Sequence, residues 1–317
     1  MDFSRMQALR DDIRLNVTVV SDTHQDVKHP MPALPQARFI NVLKEDKASL
    51  TPVDVLEITG DTTSRGMRHN WDLFRACFTP EVAGYAGELL LQFGNHDTWS
   101  DISFESAVGE YKDVVREMCG YAPENLYFTR VVKGYHLVAM GSEGENGCEA
   151  VISDAQLAWL DGELAKATAD GLPVFVFNHQ ALCTTHGLPV TNDADETYRD
   201  EYDGSVGRSS AAIQAVLEKY KNVFFFSGHS HMGLAGAKTL AERGYASFEV
   251  HNGVTYVMTP SLACGNHHGE DNSFDIGFQL EVYDERVVIR PRSFGMHAWC
   301  EVPITDGKPY FEAQIVK

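Results

Sequence analysis

The chain has 317 residues, 44% of them hydrophobic, and can bury the core of one large domain or of two small ones. Its 26 Lys and Arg residues are outnumbered by 45 Asp and Glu residues, which gives a formal net charge of −19. This charge repels polyanions and anionic membrane surfaces at long range, and we therefore expect neither a nucleic-acid polymer nor a membrane among the partners.

The N-terminal stretch, residues 1–16, contains no apolar core of the kind that an export signal needs, which predicts a cytoplasmic protein. A β-branched run over residues 17–20 then predicts a buried strand, and it leads to Asp22 and His24. In extended backbone, residues two apart point to the same side. We therefore expect these two side chains to converge just beyond the strand.

Two further strands are predicted before residue 94. The second strand covers residues 53–59, after a Pro-rich loop and a helix over residues 36–47, and it stops at Asp61. The third strand, which begins at Leu89, ends in Gly94-Asn95-His96-Asp97. Glycine lets the backbone turn sharply, and the amide, imidazole and carboxylate that follow can hold a metal and donate a proton.

The central part of the chain adds one more strand that ends in a histidine. A helix over residues 103–119, a hairpin over 127–140 and a helix that a capping box at Ser153 begins are followed by a buried strand over 173–177 and His179. The next segment, residues 183–210, is acidic and rich in turn residues. It predicts an active-site flap or a mobile surface loop.

The last third of the chain is dominated by strands. After a helix over residues 211–221, a strand over 223–226 leads to His229 and His231, which are again two residues apart and are expected to face one way. We find no internal repeat or linker, and we predict a single domain over residues 1–317 with a β-rich C-terminal part over 245–317. The expected fold class is α/β (α+β), with two sheets packed face to face and helices outside.

All five polar clusters follow predicted strands, and loops that leave neighbouring strand ends meet in one crevice. Seven of their side chains suit a pair of divalent cations: Asp22, His24, Asp61, Asn95, His179, His229 and His231. A short carboxylate such as Asp61 can bridge two ions, which in two-metal sites lie ~3.5–4 Å apart. The four histidines favour transition-metal ions over Mg, with Mn, Fe and Zn foremost. Such ions lower the pKa of a bound water toward ~7, so hydroxide is the predicted nucleophile.

His96 is not needed as a metal ligand. In a two-metal site the ions clamp both oxygens of an in-line displacement at phosphorus, and an imidazole can supply the proton that the leaving alkoxide requires. We therefore predict that His96 acts as the general acid or as a donor to the phosphoryl oxygens. Asp97 is expected either to orient His96 or to support the fold.

These motifs resemble the five signature blocks of the calcineurin-like metallophosphoesterases: Asp22-x-His24, Gly60-Asp61, Gly94-Asn95-His96-Asp97, His179 and Gly228-His229-x-His231, in this order. The blocks extend from residue 22 to residue 231, about two thirds of the chain. The resemblance implies a two-sheet αββα sandwich. It also implies that one metal is held by Asp22, His24, Asp61 and His231, and the other by Asp61, Asn95, His179 and His229.

The stretch from Gly60 to Gly66 resembles the GDxxDRG motif of the protein serine/threonine phosphatases in the same superfamily. The resemblance implies that Arg65 contacts the phosphate, which suits the fork geometry of a guanidinium, and a salt bridge to a neighbouring acid is the alternative. Ser64 stands where those enzymes have the acid that pairs with the catalytic histidine. The partner of His96 is therefore open.

The block pattern and the size resemble the bacterial class III cyclic-nucleotide phosphodiesterases. The expected function is a dinuclear metal-dependent phosphoesterase that hydrolyses a small phosphodiester or phosphomonoester, with a cyclic nucleotide and a glycerophosphodiester as candidates. Asn95, His96, Arg65 and His267 are expected to contact the substrate, in a pocket shaped by loops 183–210 and 260–275. The alternative is a metal-binding interaction module that keeps the fold without turnover.

Overall fold

The computed structural model describes residues 12–99, 101–145, 148–183, 185, 205–231, 234, 246–263, 275–301, 304–305 and 307–317. The strands in these ranges are β1 (Leu15–Val20), β2 (Val55–Ile58), β3 (Glu88–Leu91), β4 (Phe128–Val132), β5 (Tyr135–Ala139), β6 (Val174–Phe177), β7 (Val223–Ser227), β8 (Phe248–His251), β9 (Val254–Met258), β10 (Ile276–Val282), β11 (Arg286–Ser293), β12 (Ala298–Trp299) and β13 (Phe311–Gln314). The α-helices are α1 (Ala33–Ala48), α2 (Arg68–Ala76), α3 (Phe104–Val114), α4 (Asp154–Ala167) and α5 (Ser210–Leu217).

The strands form two sheets. The first has the order β12-β11-β10-β1-β2-β3, with β13 also paired to β11, and its β1, β2 and β3 are parallel. The second has the order β4-β5-β6-β7-β9-β8, and its β5, β6, β7 and β9 are parallel. The C-terminal part predicted as β-rich contributes to both sheets, because β8 and β9 complete the second and β10 to β13 complete the first.

The two sheets pack face to face. Val17 and Leu90 of the first sheet belong to the same buried cluster as Phe175, Phe177 and Phe226 of the second. The strands β1, β6 and β7 are buried along their whole length, as expected of strands covered on both faces.

Helices cover the outer face of each sheet. On the first sheet, Phe39 of α1, Trp71 of α2 and Tyr111 of α3 pack in one cluster with Leu56 and Ile58. On the second sheet, Leu160 and Leu164 of α4 and Ile213 of α5 pack with residues of β6 and β7. The layers are therefore helix, sheet, sheet and helix, which confirms the predicted αββα sandwich.

The register of the parallel strands aligns their carboxyl ends. Val20 pairs with Ile58, which pairs with Leu91, so β1, β2 and β3 end side by side. In the second sheet, Phe177 of β6 pairs with Phe226 near the end of β7. The residues that follow these strands leave the sandwich at the same edge.

The prediction differs from the structure in several places. Helix α1 begins at Ala33 and includes Pro35, which the sequence analysis had placed in a loop, because proline is tolerated in the first turn of a helix. The predicted helix over 103–119 is an α-helix to Val114 and a π-helical turn over Val115–Cys119. The short strand β12 and the edge strand β13 were not predicted.

Two predicted features fall largely outside the described residues. Most of the proposed flap over 183–210, and the part of loop 260–275 that contains His267, are not described.

None of the described helices combines the length and the hydropathy that crossing a membrane requires.

Candidate metal centre

Two groups of buried side chains meet at the edge where the parallel strands end. Asp22, His24, Asp61 and His231 form the first group, and Asp61, His179 and His229 form the second. Within each group, one ligand atom from every residue lies within 4.8 Å of the others. Asp61 belongs to both groups, as a bridging ligand must.

The distances within the groups are short. In the first group, Nε2 of His231 lies 3.0 Å from Nε2 of His24 and 3.1 Å from Oδ1 of Asp22. In the second, Oδ2 of Asp61 lies 3.1 Å from Nε2 of His179. Oδ1 of Asn95 lies 3.1 Å from the same His179 nitrogen, so the seventh predicted ligand lies beside the second group.

Five of these residues have positive φ: Asp22 (55°), His24 (45°), Asp61 (48°), His229 (67°) and His231 (47°). The sequence analysis attributed the convergence of side chains two residues apart to extended backbone, and that reason is wrong. The chain turns through the left-handed region at these positions, at a cost of ~1–3 kcal/mol for each non-glycine residue. Such strain concentrates at functional sites, where the surrounding structure enforces it.

Main-chain hydrogen bonds fix the tip of β1 to the tip of β2. Asp22 N donates to Gly60 O at 3.2 Å, His24 N to Asp61 O at 3.0 Å and Gln25 N to Thr62 O at 3.0 Å. These bonds continue the pairing of the two strands beyond their ends, and they place Asp22 and His24 beside Asp61.

A carbonyl group sets the orientation of His179. Nδ1–H donates to Thr59 O at 2.7 Å, which leaves Nε2 as the nitrogen that faces Asp61 and Asn95. Metal-binding histidines are typically oriented in this way, by a hydrogen bond from the nitrogen that does not bind the metal.

His229 provides a test of whether this site fits a metal. Among the described residues, its Nε2 is buried and has no hydrogen-bond partner. A buried polar atom left unsatisfied costs ~1–3 kcal/mol, and coordination of a divalent cation would satisfy it. The residues present therefore fit a metal centre with imidazole and carboxylate ligands.

The protonation states of Asp22 and His229 suit a cation, whereas that of His179 opposes one. Burial lowers the pKa of His229 to about 3, so its imidazole is neutral. Burial alone would raise the pKa of Asp22, but His231 and His24 hold it well below its usual range, so the carboxylate is ionised. Burial alone would lower the pKa of His179, but the charge of Asp61 raises it to about 9. A metal ion and a proton therefore compete for Nε2 of His179.

His96 lies against the first group. Its ring centroid is 4.8 Å from that of His24, and its main-chain N–H donates to Oδ1 of Asp61 at 2.9 Å. Nδ1–H donates to Ser64 O at 3.2 Å, so Nε2 is the nitrogen available to a substrate. The sequence analysis left the partner of His96 open, and this main-chain carbonyl is the group to which its ring is hydrogen-bonded. Burial lowers the pKa of His96 to about 4, so near pH 7 the ring is neutral with its one proton on Nδ1. Nε2 therefore donates only after the ring binds a second proton.

Asp97 does not contact the His96 ring. Its Oδ1 accepts from Thr63 N and from Thr63 Oγ1, both at 2.9 Å, and its Oδ2 accepts from Gly94 N at 3.0 Å. Of the two roles predicted for Asp97, these contacts are those of a residue that supports the fold. It joins the loop after β2 to the loop after β3.

Gly94 is required for a reason other than the predicted one. It does not have the positive φ of a sharp glycine turn, but a Cβ atom at Gly94 would overlap the main-chain nitrogen and the carboxylate of Asp61. The missing side chain allows the tip of β3 to approach Asp61.

Arg65 is half-buried beside Ser64. Within the described part of the chain its guanidinium makes no ion pair, so the predicted alternative of a salt bridge has no support there. His267, the other predicted substrate contact, lies outside the described residues.

Sequence analysis missed two kinds of contribution to the site. The carbonyl groups of Thr59 and Ser64, which orient His179 and His96, are main-chain atoms and leave no mark in the sequence. Trp99, whose ring centroid is 4.5 Å from that of His96, was also missed. A large aromatic residue in a polar loop, two positions after Asp97, was the available signal.

Comparisons with known proteins also indicate a metal-dependent enzyme. A sequence profile described as calcineurin-like phosphoesterase matches residues 15–233. A probable cyclic nucleotide phosphodiesterase from Rhodococcus erythropolis strain PR4 is 25% identical over 270 residues, which are 84% of this chain and 79% of the relative.

Solved structures share the fold at low identity. A dimetal phosphatase from Danio rerio is 13% identical with a TM-score of 0.57, and the match covers 96% of this chain and 100% of that one. A purple acid phosphatase from yellow lupin (Lupinus luteus) seeds is 14% identical with a TM-score of 0.59, and the match covers 95% of this chain and 53% of that one. The profile match over residues 15–233 covers more than half of this chain. The chain therefore belongs to the calcineurin-like phosphoesterase family and is a metal-dependent phosphoester hydrolase.

Proposed function

We propose that the protein is a phosphodiesterase that uses two divalent ions to hydrolyse a small-molecule phosphodiester. Asp22, His24, Asp61 and His231 would hold one ion, and Asp61, Asn95, His179 and His229 the other. The observation that carries this proposal is the membership of Asp61 in both buried groups, because a shared carboxylate is what places two cations at bridging distance.

When bound, the two ions supply a nucleophile from water at neutral pH and stabilise charge at phosphorus. The rest of the reaction falls to the residues around them. Asn95 and His96 contact the phosphoryl group, and Arg65 offers its guanidinium to a non-bridging oxygen. The negative charge of a bound phosphodiester would raise the pKa of His96, and the protonated ring would transfer the proton on Nε2 to the leaving oxygen, while Ser64 O keeps the ring in place through Nδ1.

Two observations guide the choice of substrate. The relative from Rhodococcus erythropolis is described as a probable cyclic nucleotide phosphodiesterase, which supports a cyclic nucleotide as the first substrate to test. The net charge of −19 disfavours highly charged phosphate polymers and is compatible with a diester that carries one negative charge. A glycerophosphodiester and a phosphomonoester are the comparison substrates.

The metals are proposed to be Mn, Fe or Zn, because imidazole ligands suit these ions better than Mg. Metal analysis of the purified protein, followed by removal and separate return of each ion, identifies the one that restores turnover.

The Asp61→Asn substitution tests the proposed function. The amide keeps the shape of the side chain but removes the charge that both ions share, so we expect loss of both ions and a fall of at least ~100-fold in turnover of bis(4-nitrophenyl) phosphate. Asp54→Asn is a matched control, since Asp54 precedes the same strand at its opposite end and accepts a hydrogen bond from Asn16 N at 2.9 Å.

Two results would contradict the proposal. One is an Asp61→Asn variant that retains both ions and full turnover. The other is a metal-loaded wild-type protein that hydrolyses no phosphoester in a broad panel, which would favour the interaction module instead.

A further inference from the structure

Trp99 is an unusual surface residue. It is 56% exposed, and it is the only exposed Phe, Tyr or Trp side chain among the described residues. Exposed aromatic side chains that do not serve the core are enriched where a protein binds a ligand or a partner.

The position of Trp99 is fixed by the turn that carries the metal-site residues. Thr98 N and Thr98 Oγ1 both donate to Asn95 O, at 3.1 and 2.7 Å, and Trp99 N donates to His96 O at 3.2 Å. The indole ring lies against the ring of His96, with 4.5 Å between their centroids. Since His96 in turn lies against His24, Trp99 is one side chain removed from the first metal group.

This placement puts a large, flat, uncharged surface beside the leaving-group side of the proposed reaction. His96 is the residue that would donate a proton to the leaving oxygen, so whatever is attached to that oxygen extends past His96. Trp99 is the next side chain there.

The negative charge of the protein gives an uncharged aromatic surface such as Trp99 a role in substrate binding. With a net charge of −19, the protein as a whole does not attract an anionic substrate over long distances. Stacking on an indole does not depend on net charge, and it favours planar aromatic groups such as nucleobases.

We propose that Trp99 is a specificity-determining residue, on which a planar aromatic group of the substrate, a nucleobase in the case of a nucleotide diester, stacks next to His96. This inference rests on the proposed phosphodiesterase function. It narrows that function to phosphodiesters that carry a nucleobase or a similar ring, in preference to diesters of glycerol.

Steady-state kinetics of the manganese-loaded enzyme tests the inference with two substrates, cyclic AMP and glycerophosphoethanolamine. In Trp99→Ala, the ratio of kcat/KM for cyclic AMP to kcat/KM for glycerophosphoethanolamine should fall by roughly 10- to 100-fold, mostly through KM, because base stacking on an aromatic side chain is lost. Trp99→Phe, which keeps an aromatic face, should restore the ratio to within about threefold of the wild type.

Trp159→Ala is the matched control. Trp159 lies on α4, where its ring packs against Tyr127 with 4.7 Å between centroids, and it belongs to the outer layer of the second sheet. The same truncation at this position should leave the ratio unchanged.

A binding measurement gives a second readout. AMP should quench tryptophan fluorescence in the wild type and in Trp159→Ala, because a stacked base quenches an indole. The quenching should be absent in Trp99→Phe, although that variant keeps its preference for cyclic AMP.

The outcomes separate the inference from the function on which it rests. If Trp99→Ala loses activity equally on both substrates, Trp99 only shields His96 from water and the inference is wrong, while the phosphodiesterase function stands. The proposed function is wrong only if the metal-loaded wild type hydrolyses no phosphoester in the broad panel. If the wild type hydrolyses neither of these two diesters, the kinetic ratio cannot be measured. In that case AMP quenching that depends on Trp99 still supports stacking, and its absence rejects it.

Discussion

At the scale of single residues, the site depends on a backbone conformation that ordinary side chains avoid. Glycine adopts positive φ without strain, but glycine has no side chain with which to bind a metal. Asp22, Asp61 and His229 have strained, positive φ values, and each places a carboxylate or an imidazole at a turn where glycine would place no side chain. The hydrogen bond that His96 Nδ1–H donates to Ser64 O orients the ring, and it leaves Nε2 as the nitrogen that would meet the proposed substrate.

Substrates with different leaving groups can distinguish proton donation by His96 from phosphate binding by His96. A nitrophenolate leaves without a proton, whereas a ribose or glycerol alkoxide needs one. We expect His96→Ala to lower kcat by ~10²–10⁴-fold on cyclic AMP or glycerophosphoethanolamine, the range typical of general acid catalysis, and by much less on bis(4-nitrophenyl) phosphate. Steady-state kinetics on the three substrates measures this difference.

A histidine far from the site serves as the control for this substitution. His251 ends the edge strand β8, and its Nδ1 lies 3.7 Å from Oε1 of Glu218. Because His251 is not part of the site, His251→Ala should not change the ranking of the substrates. Equal losses on all three substrates in His96→Ala would assign His96 to phosphate binding alone.

At the scale of elements, the site is a set of loops at strand ends that are joined to one another. The tip of β1 is hydrogen-bonded to the tip of β2 through Asp22, His24 and Gln25. The tip of β2 is joined to the tip of β3 through the Asp97 carboxylate. The proposed ligands that follow these three strands are thus held as one unit.

Asp97→Asn tests the link between the tips of β2 and β3. An amide has a single acceptor oxygen, so its NH₂ group must face either Gly94 N or the two Thr63 donors that now meet a carboxylate oxygen. We expect the free energy of unfolding of the metal-free protein to fall by ~1–3 kcal/mol, with weaker metal binding as a consequence. Urea unfolding measures the first effect and metal titration the second.

Asp113→Asn is the control, because Asp113 is an exposed residue of α3 that pairs with Arg116 at 2.6 Å. An Asp97→Asn variant with unchanged stability and metal affinity but little activity would return Asp97 to a catalytic role.

The strands differ in how well they could be predicted from the sequence. Strands such as β6 and β7 were predictable because short apolar runs that are rich in Val and Phe favour a strand that is covered on both faces. β13 was not, since Phe311–Gln314 has only two apolar residues, Phe311 and Ala313, which is too short a pattern to indicate a strand, and it pairs with β11 only in the folded protein. A strand at the edge of a sheet is defined by its partner more than by its own pattern.

The same limit applies to the site. The identities of the clustered side chains followed from polar residues at strand ends and from the family motifs. Their backbone conformation did not, because positive φ at His24 or His231 is imposed by loops from other strands. The contact between Trp99 and His96 likewise depends on the turn at Asn95 to Trp99, which no periodicity predicts.

At the scale of the whole molecule, a buried polar network joins the outer helix α1 to the first sheet. Arg292 of β11 donates to Glu45 Oε2 at 3.0 Å and to Gln279 Oε1 at 3.1 Å, and its Nη1 lies 3.4 Å from Asp46 Oδ1. Thr18 of β1 donates to the same Asp46 oxygen at 2.9 Å. Because Asp46 is buried in this network, the attachment of the helix layer depends on the protonation of Asp46.

Asp46 makes this dependence measurable. Burial raises the pKa of Asp46 to about 7, although the charge of Arg292 lowers it. Between the pKa of an ordinary Asp, ~3.9, and about 7, the folded protein keeps a proton on Asp46 that the unfolded chain releases. The contribution of Asp46 to stability must then decrease as pH rises through this range, and it is constant above about 8.

Asp46→Asn isolates the effect, since an amide mimics the protonated acid and does not titrate. We expect the free energy of unfolding of the wild type, relative to this variant, to fall by up to ~3 kcal/mol between pH 5 and pH 8. Urea unfolding of the two metal-free proteins at several pH values measures the difference, in which the titration of the other groups cancels. Asp72→Asn, an exposed position on α2, should give a curve parallel to that of the wild type. A parallel curve for Asp46→Asn would show that Asp46 is ionised in the folded protein and that Arg292 outweighs burial.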